Sequence, residues 1–124
     1  MAANKIIRMG PVALSSTLTT NIINPPTLTG GTGLAGTNTA SYLIIRHIRI
    51  VNKTAGAVTF SLYIGATGGN AAGTEFLGLG NSIPANSYVD WYGMLRMDTA
   101  DFLVGGASAV TSLTFQAEGE IGVV

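Results

Sequence analysis

The sequence predicts an all-β fold: a single β-sandwich, jelly-roll or immunoglobulin-like, of about eight short antiparallel strands with an extended N-terminal arm. Three observations carry that expectation. No stretch combines a helical apolar period with capping residues. Short β-branched and aromatic runs recur at spacings near ten residues, punctuated by Gly, Asn and Pro. Two of those runs alternate cleanly between apolar and polar residues, the period of a strand with one buried face.

Taken in order, residues 1–40 differ from the rest. KIIRM and PVALSSTLTTNII are each apolar enough for a short strand, but NPPTLTGGTGLAGTNTA has little to bury. A segment of that kind cannot offset its own ordering entropy. Residues 1–40 therefore read as an arm and long loop, with 24–40 its most mobile part, and 41–124 as the sandwich domain.

From Tyr42 the chain becomes strand-like. SYLIIRHIRIVN is long enough for one extended strand. NKTAG follows as a short hairpin connection, with Gly56 available for positive φ. In AVTFSLYI, residues Val58, Phe60, Leu62 and Ile64 share one side, and Thr59, Ser61 and Tyr63 the other. GATGGNAAGTEFLG (residues 65–78) then reads as a glycine-rich connection. IPAN marks a turn, and SYVDWYG and MLRMD are strands on either side of Gly93. DFLV is another strand. In the closing VTSLTFQAEGEIGVV, residues Leu113, Phe115, Ala117, Ile121 and Val123 share a parity opposite to that of Ser112, Thr114, Gln116, Glu118 and Glu120.

One strand resists the pattern. Leu43, Ile45 and Val51 share a parity with His47 and Arg49, while Ile44, Ile48 and Ile50 share theirs with Arg46. A strand apolar on both sides is expected to be central in the sandwich or covered by another subunit.

Composition points to assembly. Of 124 residues, 47% are hydrophobic and 10% charged, against roughly 25% charged in ordinary soluble domains. A small domain with so few charges is expected to cover part of its surface with sister subunits or a larger assembly. The net charge is zero, which argues against nucleic acid, whose binding needs a clustered cationic excess. The charges are nonetheless sorted. Lys5, Arg8, Arg46, Arg49 and Lys53 precede every acid, and Glu75, Asp90, Asp98, Asp101, Glu118 and Glu120 follow, with Arg96 the one base among them. Ends of opposite sign can pair within a sandwich or between subunits. With no cysteine, disulfides, thiolate metal sites and cysteine nucleophiles are excluded. The N-terminus lacks a continuous apolar core of the signal-peptide kind, and no run is long enough to span a bilayer. A soluble protein used without secretion is expected, with no membrane partner.

No constellation carries catalysis. The glycine loop at 65–78 has no Lys in the position a phosphate-binding loop requires and no helix after it. GTGLAG at 31–36 nearly matches a dinucleotide fingerprint but follows no strand. His47 is the only histidine, so one chain cannot build a histidine metal cluster. There is no G-x-S-x-G for a nucleophile. Asp98 and Asp101 lie three apart in a turn, where Asp commonly caps backbone groups. Trp91 and Tyr92, with Tyr42, Tyr63 and Tyr88, are the aromatics from which a sugar-stacking platform could be built, although aromatics on strands are more often core or interface. No catalytic residue, metal ligand or cofactor is expected.

The stretch IRIVNKTAGAVTFSLYIG through SIPANSYVDWYGMLRMDTADFLVGGASAVTSLTFQAEGEIGV has a further property. Its sequence of strand, short turn, strand, Gly/Ala loop, IPAN turn, aromatic strand and Thr-rich final strand resembles small β-sandwich virion proteins of tailed bacteriophages. The resemblance covers roughly residues 48–123. It is most like a capsid decoration (cement) protein. It implies a structural protein on the outer capsid surface, made in the host cytoplasm, that bridges major capsid subunits and forms a homo-oligomer, a trimer being favoured. Ile6, Ile7, Arg8 and Met9 of the arm, and Arg46, His47 and Arg49 of the mixed strand, are the expected partner contacts. A neck, tail or fibre component is the alternative within the virion; a carbohydrate-binding module is the alternative outside it.

Overall fold

A computed structural model describes residues 5–23, 40–70, 73–98 and 100–123. Among the described residues eight strands form two four-stranded sheets: β1 (Lys5–Ala13), β2 (Asn21–Ile23), β3 (Ala40–Asn52), β4 (Val58–Gly65), β5 (Glu75–Ile83), β6 (Ser87–Met97), β7 (Phe102–Ala107) and β8 (Leu113–Val123). The first sheet has the order β1-β8-β3-β6 and the second β2-β7-β4-β5. All neighbours are antiparallel. Apart from β4 and β5, consecutive strands lie in different sheets. This is the double-sheet jelly roll, the first of the two sandwich types the sequence left open.

The core lies between the sheets. Leu43, Ile45, Ile48, Ile50, Met97, Phe115, Ala117 and Ile121 of the first sheet meet Ile23, Phe60, Leu62 and Leu103 of the second. The alternation in β8 is realised as written: Leu113, Phe115, Ala117 and Ile121 are buried, and Thr114 and Glu118 are exposed.

The mixed pattern of β3 has a local cause. Ile45 faces Gly119 on β8 and Leu95 on β6; the next inward rung joins Ile48 to Ala117 and Trp91. Between those rungs β8 advances from 119 to 117, β3 from 45 to 48, and β6 from 95 to 91. Each strand is therefore one residue longer than its neighbour. Bulges of this kind bend a sheet and increase its twist. They also reverse the parity of β3, so Leu43, Ile45, Ile48, Ile50 and Asn52 all point inward and are buried. The strand is central, as one of the two expected explanations required. The step accounts for the change of parity between Ile45 and Ile48, while Ile44 and Val51 stay on the outward side, half-buried.

Gly119 stands where the step begins. A Cβ there would fall on the Ile44 carbonyl oxygen, and Ile45 Cα would lie at 3.0 Å. Only glycine lets the backbones of β3 and β8 come this close.

Asn52 ends β3 as a fully buried polar side chain. Its Nδ2 donates to the carbonyls of Ile83 (2.9 Å), Gly56 (3.0 Å) and Pro84 (3.2 Å), and its Oδ1 accepts from Thr54 N (2.9 Å) and Thr54 Oγ1 (2.7 Å). It ties the β3–β4 and β5–β6 turns together at one end of the sandwich.

Four sequence expectations change. Residues Lys5–Ala13 and Asn21–Ile23 are strands of the two sheets, not an arm, because Met9, Leu14, Ile22 and Ile23 bury in the core; of residues 24–40, expected to be the most mobile part, 24–39 lie outside the described residues and Ala40 opens β3. NKTAG is not a hairpin: β3 and β4 belong to different sheets, and the turn is shaped by Asn52, while Gly56 is absent from the positive-φ glycines. EFLG opens strand β5, so the glycine connection ends at Thr74. SYVDWYG and MLRMD form one continuous strand through Gly93. The glycine loop itself does join antiparallel neighbours, with Gly65, Gly68 and Gly73 at positive φ.

Gly119→Ala is expected to cost about 2–3 kcal/mol by overpacking, whereas Gly56→Ala, with nothing within 4 Å of the added methyl, should stay within about 0.5 kcal/mol of wild type. Urea unfolding midpoints compare them directly. Asn52→Ala strands buried carbonyls and should cost about 2–3 kcal/mol, lowering the melting temperature while leaving the far-UV spectrum strand-like.

Candidate functional site: the outer face of the first sheet

The step in β3 sends two consecutive side chains, Arg46 and His47, to the same outward face. There they meet the outward residues of both neighbouring strands. His47 lies between Asp90 on β6 and Glu118 on β8: Nε2 is 2.9 Å from Asp90 Oδ1, and Nδ1 is 4.0 Å from Glu118 Oε1. Arg49 holds the same aspartate bidentately, Nε to Oδ1 at 2.7 Å and Nη2 to Oδ2 at 2.9 Å. Arg46 approaches Glu120 at 3.8 Å. Tyr92 stacks on the His47 ring at 4.6 Å between centroids, and the Arg49 guanidinium sits 4.6 Å over Tyr88.

The electrostatics follow from the contacts. The bidentate Arg49 hydrogen bonds, with the His47 contact adding to them, lower the Asp90 pKa from 3.8 to about 2, and the same pairing raises that of Arg49. Asp90 is therefore ionised at neutral pH and accepts every hydrogen bond it makes here. That fixes the proton of His47 on Nε2, the nitrogen facing Asp90. Planar fork-to-carboxylate pairing also fixes the arginine in orientation as well as position.

Of the residues expected from sequence, Arg46, His47 and Arg49 come together on this face. Ile6, on β1, is 87% exposed and lines a shallow cavity of about 180 Å³ with Arg46, His47, Glu118, Gly119 and Glu120. Arg8 is exposed on the same strand. The side chain of Ile7 lies outside the described residues. Met9 is a correction: it is completely buried, because β1 directs it into the sandwich, and it offers nothing to a partner.

Sequence reasoning missed Asp90, Glu118, Tyr88 and Tyr92 as members of the site. The available signal was the sorted charge, since each early base here meets a late acid. Of the other candidates, Asp101 caps its turn, accepting from Asp98 N at 2.8 Å, while the Asp98 carboxylate accepts from Arg96 Nε at 2.8 Å. Trp91 is half-buried and packs edge-on against Phe76 at 5.1 Å, so it cannot share an open platform with the exposed Tyr92. GTGLAG lies outside the described residues. A second cavity, about 290 Å³, is lined by Ser16, Leu18, Thr59, Phe60, Ser61, Gly106, Ala107 and Ser108, none of which titrates near neutral pH. Among the described residues no group of His, Asp and Glu is arranged to hold a metal ion.

The outer face thus carries an ion network held in place from three strands. His47 has acids on two sides and a tyrosine against its ring, and no hydroxyl nucleophile is bonded to it among the described residues.

No protein-family model matches the chain, and no curated protein matches it. Among solved structures, the tobacco streak virus coat protein in its C2 crystal form is 9% identical over 97% of this chain and 85% of its own, with a TM-score of 0.45. The coat protein dimer of the same virus is 12% identical at the same coverage, TM-score 0.47. Eiger TNF from S. frugiperda is 12% identical over 96% of this chain and 85% of its own, TM-score 0.38. Likeness this distant carries no functional argument.

Because the folded state holds Asp90 below its ordinary value, its pairing stabilises the fold above pH 3.8 and that contribution is lost as pH falls toward about 2. Carboxyl NMR titration should place Asp90 near 2. The difference in melting temperature between wild type and Asp90→Asn should shrink as the pH falls from about 4 toward 2.

Proposed function

We propose that this chain is a structural, non-enzymatic virion protein that decorates and stabilises a bacteriophage capsid by bridging major capsid subunits. The observation that carries the reading is the outer face of the first sheet: an ion network fixed in place, with the exposed Ile6 at its margin beside a shallow cavity. Such a face offers an apolar anchor and rigid polar partners, the composition of a protein interface. The sparse charge and the resemblance of residues 48–123 to phage decoration proteins support the same reading. Capsid expansion would create the sites, and many weak bridges would add through multivalency to oppose pressure from the packaged genome. Ile6, Ile7, Arg8, Arg46, His47 and Arg49 form the proposed contact region.

Purified protein should co-sediment with expanded empty shells of the phage that encodes it and not with unexpanded ones. Ile6→Ser, an exposed change opposite Glu120, should leave the melting temperature nearly unaltered and weaken shell binding roughly tenfold. Failure of the wild-type protein to bind expanded shells overturns the reading. A few copies per virion by gel densitometry, instead of many, would move the protein to the neck, tail or fibres.

A further inference from the structure

Of the six large hydrophobic side chains exposed among the described residues, four lie on one strand: Tyr88, Val89, Tyr92 and Met94 of β6. Tyr92 is 71% and Met94 66% exposed. Among the described residues this strand is also an edge, with β3 as its one neighbour in the sheet. The other edges carry devices that discourage pairing. β1 has an irregularity between Met9 and Val12 that contains Pro11, β2 has three described residues, and β5 is interrupted by irregularities on both sides of Leu77. β6 spans eleven residues with no proline or lysine. A long edge with an apolar row is a template for another strand.

The order of residues on β6 selects which strand. Its outward row reads Tyr88, Asp90, Tyr92, Met94, Arg96. Laid antiparallel against itself about Gly93, the row is self-complementary: Asp90 stands opposite Arg96, and Tyr92 opposite Met94. Opposite charges and a sulfur–aromatic contact then occur twice each by symmetry. No side chain stands on the axis. The irregularity of β6 lies between Tyr92 and Leu95, around that axis, so the two segments that would carry the ladder, 88–92 and 94–97, flank it.

We propose that β6 pairs with β6 of a second copy of this chain, antiparallel about a twofold axis at Gly93, joining two first sheets into one eight-stranded sheet. The partner surface is distinct from Ile6 and the cavity beside it, and the proposal does not depend on the virion reading. A twofold edge pairing replaces the trimer expected from the resemblance.

Light scattering on a size-exclusion column should give twice the 12.7 kDa chain mass. Arg96→Asp, which places two acids opposite each other, should weaken the dimer roughly tenfold without changing the circular dichroism spectrum. Register is read by oxidation, since the chain has no cysteine of its own. An equilibrated mixture of Tyr92→Cys and Met94→Cys should form a disulfide-linked heterodimer faster than either variant links to itself, because directly opposite positions meet bridging distance and diagonal ones do not. A monomer or trimer overturns the proposal. So does a dimer in which the mixed pair has no advantage.

Discussion

The structure turns on one inserted residue. Where β8 takes two steps and β6 takes four, β3 takes three, and the extra residue at Arg46 reverses which side of β3 faces the core. Ile45 and Ile48 can both be buried only because of it. The same step places Arg46 and His47 side by side on the outer face, where an unbroken strand would have sent one of them inward. Packing and site are therefore one constraint seen from two faces of the sheet. Gly119 is its counterpart on β8, since any side chain there would push β3 away at the rung where the register changes.

Around this step the interior is satisfied by few polar groups, each fully used. Asn52 engages three carbonyls, a backbone amide and a hydroxyl while completely buried, so its desolvation is matched by hydrogen bonds and the two turns it joins are held at a fixed distance. Among the described residues no buried side-chain nitrogen or oxygen lacks a partner. A sandwich so closed at its core presents its chemical variety on its outer sheet face and its edges.

Much of this was legible in the residues. The alternation of β4 and β8 fixed two strands and their buried faces, and the absence of helical period fixed the class. What was not legible depended on pairing between distant segments. Periodicity assumes a constant period, whereas a one-residue bulge in β3 put inward residues on both parities. NKTAG has the length and glycine of a hairpin turn; only the partners of β3 and β4 reveal that it crosses between sheets. The first forty residues are poor in apolar mass on average, yet Met9, Leu14, Ile22 and Ile23 are spaced to reach the core once β8 and β7 provide edges for them. Asp90 and Glu118 carry no local signature at all, because their role comes from neighbours on other strands.

The sorting of charge along the chain has its explanation in topology. The first sheet runs β1-β8-β3-β6, so strands from the early and late parts of the chain alternate across it. With bases on the early strands and acids on the late ones, every adjacent pair brings opposite signs together: Arg8 beside Glu118, Arg46 beside Glu120, Arg49 beside Asp90. The pattern therefore reports strand order more than any charged partner. It also settles what kind of surface results. Charges that neutralise their neighbours within a few ångströms leave little field at a distance, so this face cannot draw a polyanion or a charged ligand from afar. Discrimination must come at short range, from the apolar and aromatic side chains at the margins of the network, Ile6 on one side and Tyr92 and Met94 on the other. Arg96 is the one base that breaks the sorting. It lies on an acid-bearing strand, which gives β6 both signs of charge on a single edge.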